Sequence, residues 1–398
     1  MFGASTFGGV MNTRLNRRNL VATLTLSLLG ACSVVPKTTT TAPPPPPKPV
    51  ETNVIASDTT RHRIALLVPT SGKGGDAGQS IANAANMALL DTSAGNLRIS
   101  IYDTSAGAGA AAKRAIADGN RLILGPLLAD DVPAVSAEAR PAGVPVISFS
   151  NDEEAAGGKG VFVMGNLPGQ SISRTVSYAR SRGVSSFAAL VPRGEYGDRV
   201  SSAFLQVARR EGGTVVAMEP YDRSTGSIGS AVARVKAKGG FDALLIADSG
   251  SLSAKAAATY RAGGGTARLL GTELWSGERE LTATPALSGA WFATVSDQRF
   301  GRFATSYRTR FGAQPFRIAT LGYDAVLLTL RVARDWKPGT RFPIDSLTDS
   351  SAFPEGFLGV DGAFRFTKGG LIERALEVRE VRKGTVATVS PAPATVAP

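Results

Sequence analysis

Between Arg61 and Leu90 the chain reads RHRIALLVPTSGKGGDAGQSIANAANMALL. Its apolar run, Ile64 to Val68, is closed by Pro69 and a loop of Gly, Ser and Lys. A short apolar run bounded by turn residues predicts a strand buried on both faces of a parallel sheet. After the loop, Ile81, Ala84, Ala85, Ala88 and Leu89 recur at helical spacing, which predicts a helix over 77–90 lying on that sheet. Strand, glycine-rich loop and helix make the opening unit of a doubly wound α/β domain, whose ligands collect at the carboxyl ends of the strands.

The unit then repeats. Strands are predicted at 97–103, 121–125, 144–148 and 161–164, with helices at 108–118, 132–140 and 169–182. A second set of strands, at 186–191, 214–219, 242–247 and 268–271, alternates with helices at 196–211, 227–237 and 252–261. Two such sets predict two lobes with a cleft between them. The later sequence breaks the rhythm with a crossing strand at 289–295 and helices at 302–311 and 318–334. Segments 358–366 and 374–382 alternate apolar and polar residues around Lys368-Gly369-Gly370, which predicts a hairpin. The lobes are therefore expected as 61–184, completed by about 296–340, and 185–295, completed by about 355–383. Residues 384–398 show no apolar periodicity and are expected to be disordered.

The start of the chain carries a different pattern. Arg14, Arg17 and Arg18 precede an apolar run, Leu20 to Leu29, that is about half the length a membrane-spanning helix needs. This predicts a cleaved signal segment over 1–31, with Met11 as a second candidate start. Leu29-Gly30-Ala31-Cys32 ends that segment as a bacterial lipobox does, so Cys32, the only cysteine, is the expected lipidation site. With one cysteine, neither an intramolecular disulfide nor a thiolate metal cluster can form. Residues 32–60, rich in Thr and Pro, read as a tether; extended at ~3.1 Å per residue it would reach roughly 80–90 Å. Ser33 after the cysteine, in place of Asp, favours the outer membrane.

The composition, 43% hydrophobic in 398 residues, is that of a globular protein. The formal charge of +12 favours anionic surroundings such as nucleic acid, phospholipid head groups or cell-wall polymer. The basic residues are spread along the chain and read as a solvated basic surface, and no nucleic-acid partner is expected. His62 is the only histidine, which excludes a histidine pair for acid–base work and a histidine metal cluster. There is no GxSxG elbow and no SxxK pair, so no enzyme is expected. Gly107-Ala108-Gly109-Ala110-Ala111-Ala112 matches a dinucleotide fingerprint, but it follows the second strand and reads as an Ala-rich helix start. No cofactor is expected.

Taken in order, the strand with PTSG, ILGPL at 123–127, VPVISFS at 144–150, EYG at 195–197 and GVDGAFRF at 359–366 resemble one family. It is the type I periplasmic binding fold of the leucine/isoleucine/valine-binding proteins, and the resemblance covers about 61–383. It implies two doubly wound, Rossmann-like α/β lobes joined by hinge crossovers with a cleft between them. Within that fold GPLLADDV, 125–132, is similar to the lipoprotein activators of penicillin-binding proteins. The function so implied is a non-enzymatic, lipid-anchored regulator of peptidoglycan synthesis, held on the periplasmic face of the outer membrane, with a penicillin-binding protein and peptidoglycan as partners. The alternative is a binding protein for an amino-acid-like or small polar solute, serving an ABC transporter or a sensor.

The resemblance also places ligand groups on loops at the strand ends, here Ser71, Leu128, Ala129, Ser150, Asn151, Tyr196, Asp248, Ser249 and Glu273. Amino-acid carriers clamp a carboxylate just after the GPL turn with neutral donors. Here Asp130 and Asp131 follow instead, and these carboxylates either repel such a ligand or cap the helix beginning near Val132. Ser150 and Asn151 are placed to supply donors and Tyr196 an aromatic wall, while Asp248 or Glu273 would face an ammonium group. Asp152, Glu153 and Glu154 read as a solvated acidic loop.

Overall fold

The structure, a computed structural model, describes residues 60–156, 160–223, 227–349, 351 and 353–396. The signal segment, Cys32 and the tether up to residue 59 lie outside the described residues.

The first set of elements is β1 (His62–Val68), α1 (Gly75–Thr92), β2 (Leu97–Asp103), α2 (Ala108–Ala117), β3 (Leu122–Leu124), α3 (Val132–Ala142), β4 (Val146–Ser148) and β5 (Val161–Val163). Its five strands are all parallel in the order β2-β1-β3-β4-β5. The apolar run of β1 serves both faces: Ile64, Leu66 and Val68 pack with Ile81 and Ala85 of α1, while Ala65 and Leu67 pack with Ala111 of α2 and Val135 of α3. A strand buried on both faces needs no polar alternation, which is why its sequence is continuously apolar.

The second set is α4 (Pro168–Ser181), β6 (Ser186–Pro192), α5 (Glu195–Arg210), β7 (Thr214–Tyr221), α6 (Ile228–Lys238), β8 (Ala243–Ile246), α7 (Gly250–Ala262), β9 (Arg268–Gly271), the short α8 (Glu280–Ala283) and β10 (Trp291–Thr294). Its parallel strands run β10-β9-β8-β6-β7, the same order as in the first lobe once renumbered. Both lobes therefore reverse strand order beside their first strand, and the ends of β1 and β3 and of β6 and β8 are the places where a doubly wound sheet takes a ligand.

After β10 the chain returns through α9 (Phe300–Phe311) to α10 (Thr320–Val332), whose Leu321, Ala325 and Val326 join the first lobe's core. The strands β11 (Phe357–Gly359), β12 (Gly362–Phe366), β13 (Ile372–Arg374), β14 (Glu377–Arg382) and β15 (Thr385–Ser390) complete the chain.

Three expectations about this region and the lobe boundary are corrected. The hairpin around Lys368-Gly369-Gly370 forms between β12 and β13, but its second arm is 372–374 and does not extend to 382. With β11 these strands make a small antiparallel sheet, while β14 pairs antiparallel with β10 in the second lobe. Phe364, Phe366 and Ile372 are buried in the first lobe's core, so 357–374 completes that lobe and only β14 and β15 complete the other. The end of the chain is ordered from 385 to 390: β15 pairs with β14, and Val386 and Val389 rest on the two faces of the second core. The run Thr385-Val386-Ala387-Thr388-Val389, β-branched at all but Ala387, is suited to such an edge strand. Finally, α4 belongs to the second lobe, because Ile172 and Val176 pack under its sheet and Ser171 Oγ donates to Ala293 O at 2.7 Å.

An ionic network, buried at Asp361 and Arg379 and open to solvent at Asp297, ties the crossovers together. Arg317 Nη1 meets Asp361 Oδ1 at 2.6 Å and its Nη2 meets Asp297 Oδ1 at 3.2 Å, while Arg379 Nη1 meets Asp297 Oδ2 at 2.5 Å. Asp324 of α10 accepts the N–H of Val360 at 2.7 Å, and burial followed by the charge of Asp361 pushes its carboxyl up.

Candidate functional site

The loops at the strand ends of the first lobe are largely self-satisfied. Thr70 and Ser105 donate their N–H groups to Asp103 Oδ1 at 2.9 and 3.0 Å, and these bonds hold that carboxyl well below the usual range. Ser71 Oγ lies 3.2 Å from Asp103 Oδ2 and 2.7 Å from Ser105 Oγ. Leu128 is exposed at the end of β3. Residues Ala129–Asp131 form one 3-10 turn leading into α3, and no side chain caps that helix. The capping role expected of Asp130 and Asp131 is thus not observed; burial and the neighbouring Asp130 charge push the Asp131 carboxyl up. Ser150 is buried, and its hydroxyl accepts the N–H of Asp152 at 3.0 Å, so it is turned to its own loop.

The second lobe presents a more open constellation. Gly194 and Glu195 start α5 close to the end of β6, which brings Tyr196 in the first turn beside the end of β9. Tyr196 OH lies 2.9 Å from Thr272 Oγ1 and donates to Glu273 Oε1 at 3.1 Å. Glu273 Oε2 is buried with no hydrogen-bond partner among the described residues. Desolvation pushes this carboxyl up to about 7, and it also pushes the Tyr196 phenol up, aided by the charge of Glu273.

Asp248 is not free for an ammonium group, which corrects its expected role. Arg223 holds it with Nε at 3.0 and 2.8 Å from its two oxygens and Nη2 at 2.8 Å, and Tyr221 OH donates to it as well. Ser249 donates its N–H to Asp248 at 2.8 Å and caps α7, its hydroxyl accepting from Leu252. A carboxylate buried to 2% exposure needs such partners, and the guanidinium supplies the charge.

Between the lobes lies a cleft of about 590 Å³. Ala129, Asp130, Asn151 and Asp152 line it from the first lobe, and Glu195, Asp198 and Arg199 from the second. Arg199 Nη2 reaches Asp152 Oδ2 across it at 2.8 Å, so Asp152 is an interlobe contact and not merely a solvated loop residue. Glu153 and Glu154 add two more carboxyls to the wall against the one guanidinium. Glu153 is pushed up by burial and then by the charge of Asp152. Such a lining favours a positively charged solute over an anion.

Of the nine expected residues, Ala129 and Asn151 share this cleft, while Tyr196 and Glu273 share a hydrogen bond. Ser71, Leu128, Asp248 and Ser249 are not drawn into either group by a hydrogen bond among the described residues, and Ser150 meets the cleft only through the N–H of Asp152. Sequence reasoning misses Thr272, Tyr221, Arg223 and Arg199. Thr272 adjoins Glu273, and the expected end of β7 at residue 219 stops two residues short of Tyr221, which still pairs with Pro192 of β6. Among the described residues no group of His, Cys, Asp and Glu is arranged to hold a metal ion.

A model of the family described as periplasmic binding protein matches residues 62–385. An uncharacterized protein of Rickettsia prowazekii is 25% identical over 174 residues, covering 43% of this chain and 46% of that protein, so the chain matches less than half the length of this relative. A solved structure from Rhodospirillum rubrum, described as a candidate branched-chain amino acid ABC transporter, has a TM-score of 0.73 at 21% identity, over 83% of this chain and all of that one. The branched-chain amino acid binding protein LivJ of Streptococcus pneumoniae, solved with isoleucine, gives 0.65 at 18% identity, over 84% of this chain and 100% of that one. A solute-binding protein of R. palustris, solved with benzoate, gives 0.66 at 19%, over 85% and 98%. At these identities the solved structures establish the fold alone.

Proposed function

The chain belongs to the periplasmic binding protein family, and on that premise we propose that it binds a small, ammonium-bearing polar solute between its two lobes. The observation that carries this reading is Glu273: a desolvated carboxyl with one oxygen bonded to Tyr196 and the other without a partner among the described residues. Leaving a buried acceptor unsatisfied costs about 1–3 kcal/mol, which a donor on a ligand would recover. The acid-rich cleft wall points to the same ligand charge. Two of the solved proteins of this fold carry isoleucine and benzoate, both carboxylates. Here Asp130 and Asp131 stand after the GPL turn, which disfavours a ligand whose main group is a carboxylate.

The test is a thermal-shift screen across amino acids, amino alcohols, amino amides, polyamines and aromatic acids. Stabilisation that grows with concentration is expected for ammonium-bearing compounds, about 2.7 kcal/mol at one hundred times Kd. Stabilisation by aromatic acids alone would contradict the proposed ligand charge, and silence across the panel would contradict solute binding.

A second reading, an activator docked on a penicillin-binding protein, is favoured by the GPLLADDV sequence together with the lipobox and tether. It shares with the first a lipid anchor on Cys32 in the outer membrane. Cys32→Ser is expected to move the protein from the membrane fraction to the soluble periplasmic fraction; retention in the membrane would contradict the anchor. Stimulation of glycan polymerisation by the purified protein, with no small ligand found, would favour the second reading.

A further inference from the structure

At the edge of the first sheet opposite the interlobe cleft, where β4 and β5 begin, lies a separate cavity of about 230 Å³. Its wall is apolar, built by Ala139, Val144, Val146, Val161, Phe342 and Ile344. Two guanidiniums join that wall, Arg140 near the end of α3 and Arg341 on the connection after α10. Arg341 packs over Gly143, the left-handed residue that ends α3, where an added Cβ would lie 3.4 Å from the guanidinium carbon. Neither guanidinium has an ion-pair or hydrogen-bond partner among the described residues, the bonds of these residues being to their carbonyls. The third polar group is Ser136, 8% exposed, whose hydroxyl has no hydrogen-bond partner among the described residues. Ser136 and Arg140 also border an adjoining hollow of about 470 Å³, where Glu154 supplies one opposing charge and leaves the pair of sites net positive.

We propose that this cavity is a second binding site, for a small amphipathic anion: a carboxylate carried on a short hydrocarbon chain or ring. The apolar wall takes the hydrocarbon, since burying each methylene contributes about 0.8 kcal/mol. The arginines take the carboxylate, which a guanidinium can grip with two parallel hydrogen bonds. The hydroxyl of Ser136 supplies a further donor. The space suits roughly ten non-hydrogen atoms, at about 30 Å³ for each displaced water and with the adjoining hollow open to it. The cavity shares no lining residue with the interlobe cleft, which carries the opposite charge, although the adjoining hollow meets the cleft at Pro133 and Glu154.

The experiment is calorimetric titration of the full chain with octanoate, octylammonium and 1-octanol. Octanoate is expected to bind at least tenfold more tightly than the other two. The double variant Arg140→Gln/Arg341→Gln should weaken octanoate at least tenfold while keeping the unliganded melting temperature, because both side chains are exposed. Glu273→Gln, which alters the carboxyl proposed to meet the ammonium-bearing solute, should leave octanoate binding within twofold. The proposal is overturned if octanoate does not bind, if octylammonium binds equally well, or if the Glu273 variant and not the arginine pair abolishes binding.

Discussion

Replacing Arg317 by Met is expected to destabilise the protein by about 3–5 kcal/mol, the cost typical of stranding one partner of a buried ion pair. Arg317 is 13% exposed and Asp361 1%, so water cannot take over the lost contact. Thr320 Oγ1 donates to the same Asp361 at 2.9 Å, but a hydroxyl supplies no charge. The stranded carboxylate would also lie beside Asp324, which accepts the Asp361 N–H at 3.4 Å and is itself buried. The guanidinium further packs 4.3 Å over the Phe300 ring, a contact the thioether replaces only in part. In thermal unfolding the loss should read as a fall of roughly 6–15 °C. The double variant Arg317→Met/Asp361→Asn should recover part of it, because no uncompensated charge remains. A single-variant loss under about 1 kcal/mol would show that the crossover network does not hold the lobes as described.

Gly197→Ala is expected to cost about 1–3 kcal/mol and, unlike most stability variants, to impair ligand binding as well. A Cβ at Gly197 would overlap the carbonyl oxygen of Pro192, at the end of β6. Backbone cannot rotate away as a side chain can, so the first turn of α5 must lift off the sheet. That turn carries Tyr196, and Arg199 comes three residues later on the same helix, so both the Glu273 contact and the bridge to Asp152 would shift. The first lobe repeats the device: a Cβ at Gly78 in α1 would overlap the carbonyl of Pro69. Arg209→Ala, on the same helix but in its last turn and away from the cleft, is the control. Equal ligand affinity in Gly197→Ala and Arg209→Ala, measured by titration, would contradict the positioning role.

Much of this architecture was legible in the sequence because doubly wound strands are buried on both faces. Runs such as Ile64 to Val68 and Ala243 to Ile246 announce themselves without any partner being known. The sheet to which a strand belongs is not announced in that way. Segments 362–366 and 377–382 both alternate, yet β12 joins a small sheet against the first lobe and β14 joins the second lobe's sheet. The choice is made by partners far away in sequence, Phe162 and Met164 for one and Trp291 to Thr294 for the other.

The site was legible to the same depth. Position after a strand end singled out Tyr196 and Glu273, and the topology does bring these two within hydrogen-bond distance. It also nominated Asp248, whose role depends on Arg223 reaching it from the end of β7, two strands away across β6, a fact no local pattern encodes. Ser150 failed for a local reason: a serine at a strand end can close its own turn, and here its hydroxyl takes the Asp152 N–H.

The central claim is that Glu273 receives a cationic group of the ligand, and its protonation offers a direct reading. A carboxyl held near 7 in the free protein is mostly neutral at pH 6 and mostly ionised at pH 8. The folded-state value lies above the unfolded one, so in the unliganded protein its contribution to stability is present below about 4.5 and lost as pH rises through 7. Ligand affinity must run the other way, because only the ionised carboxylate attracts an ammonium group. The measurement is calorimetric titration, at pH 6 and pH 8, of the tightest ammonium-bearing compound from the screen into wild-type protein and Glu273→Gln. The account predicts roughly tenfold tighter binding at pH 8 in the wild type and no such gain in the variant. Equal affinity at both pH values in the wild type, or the same gain in the variant, would contradict it.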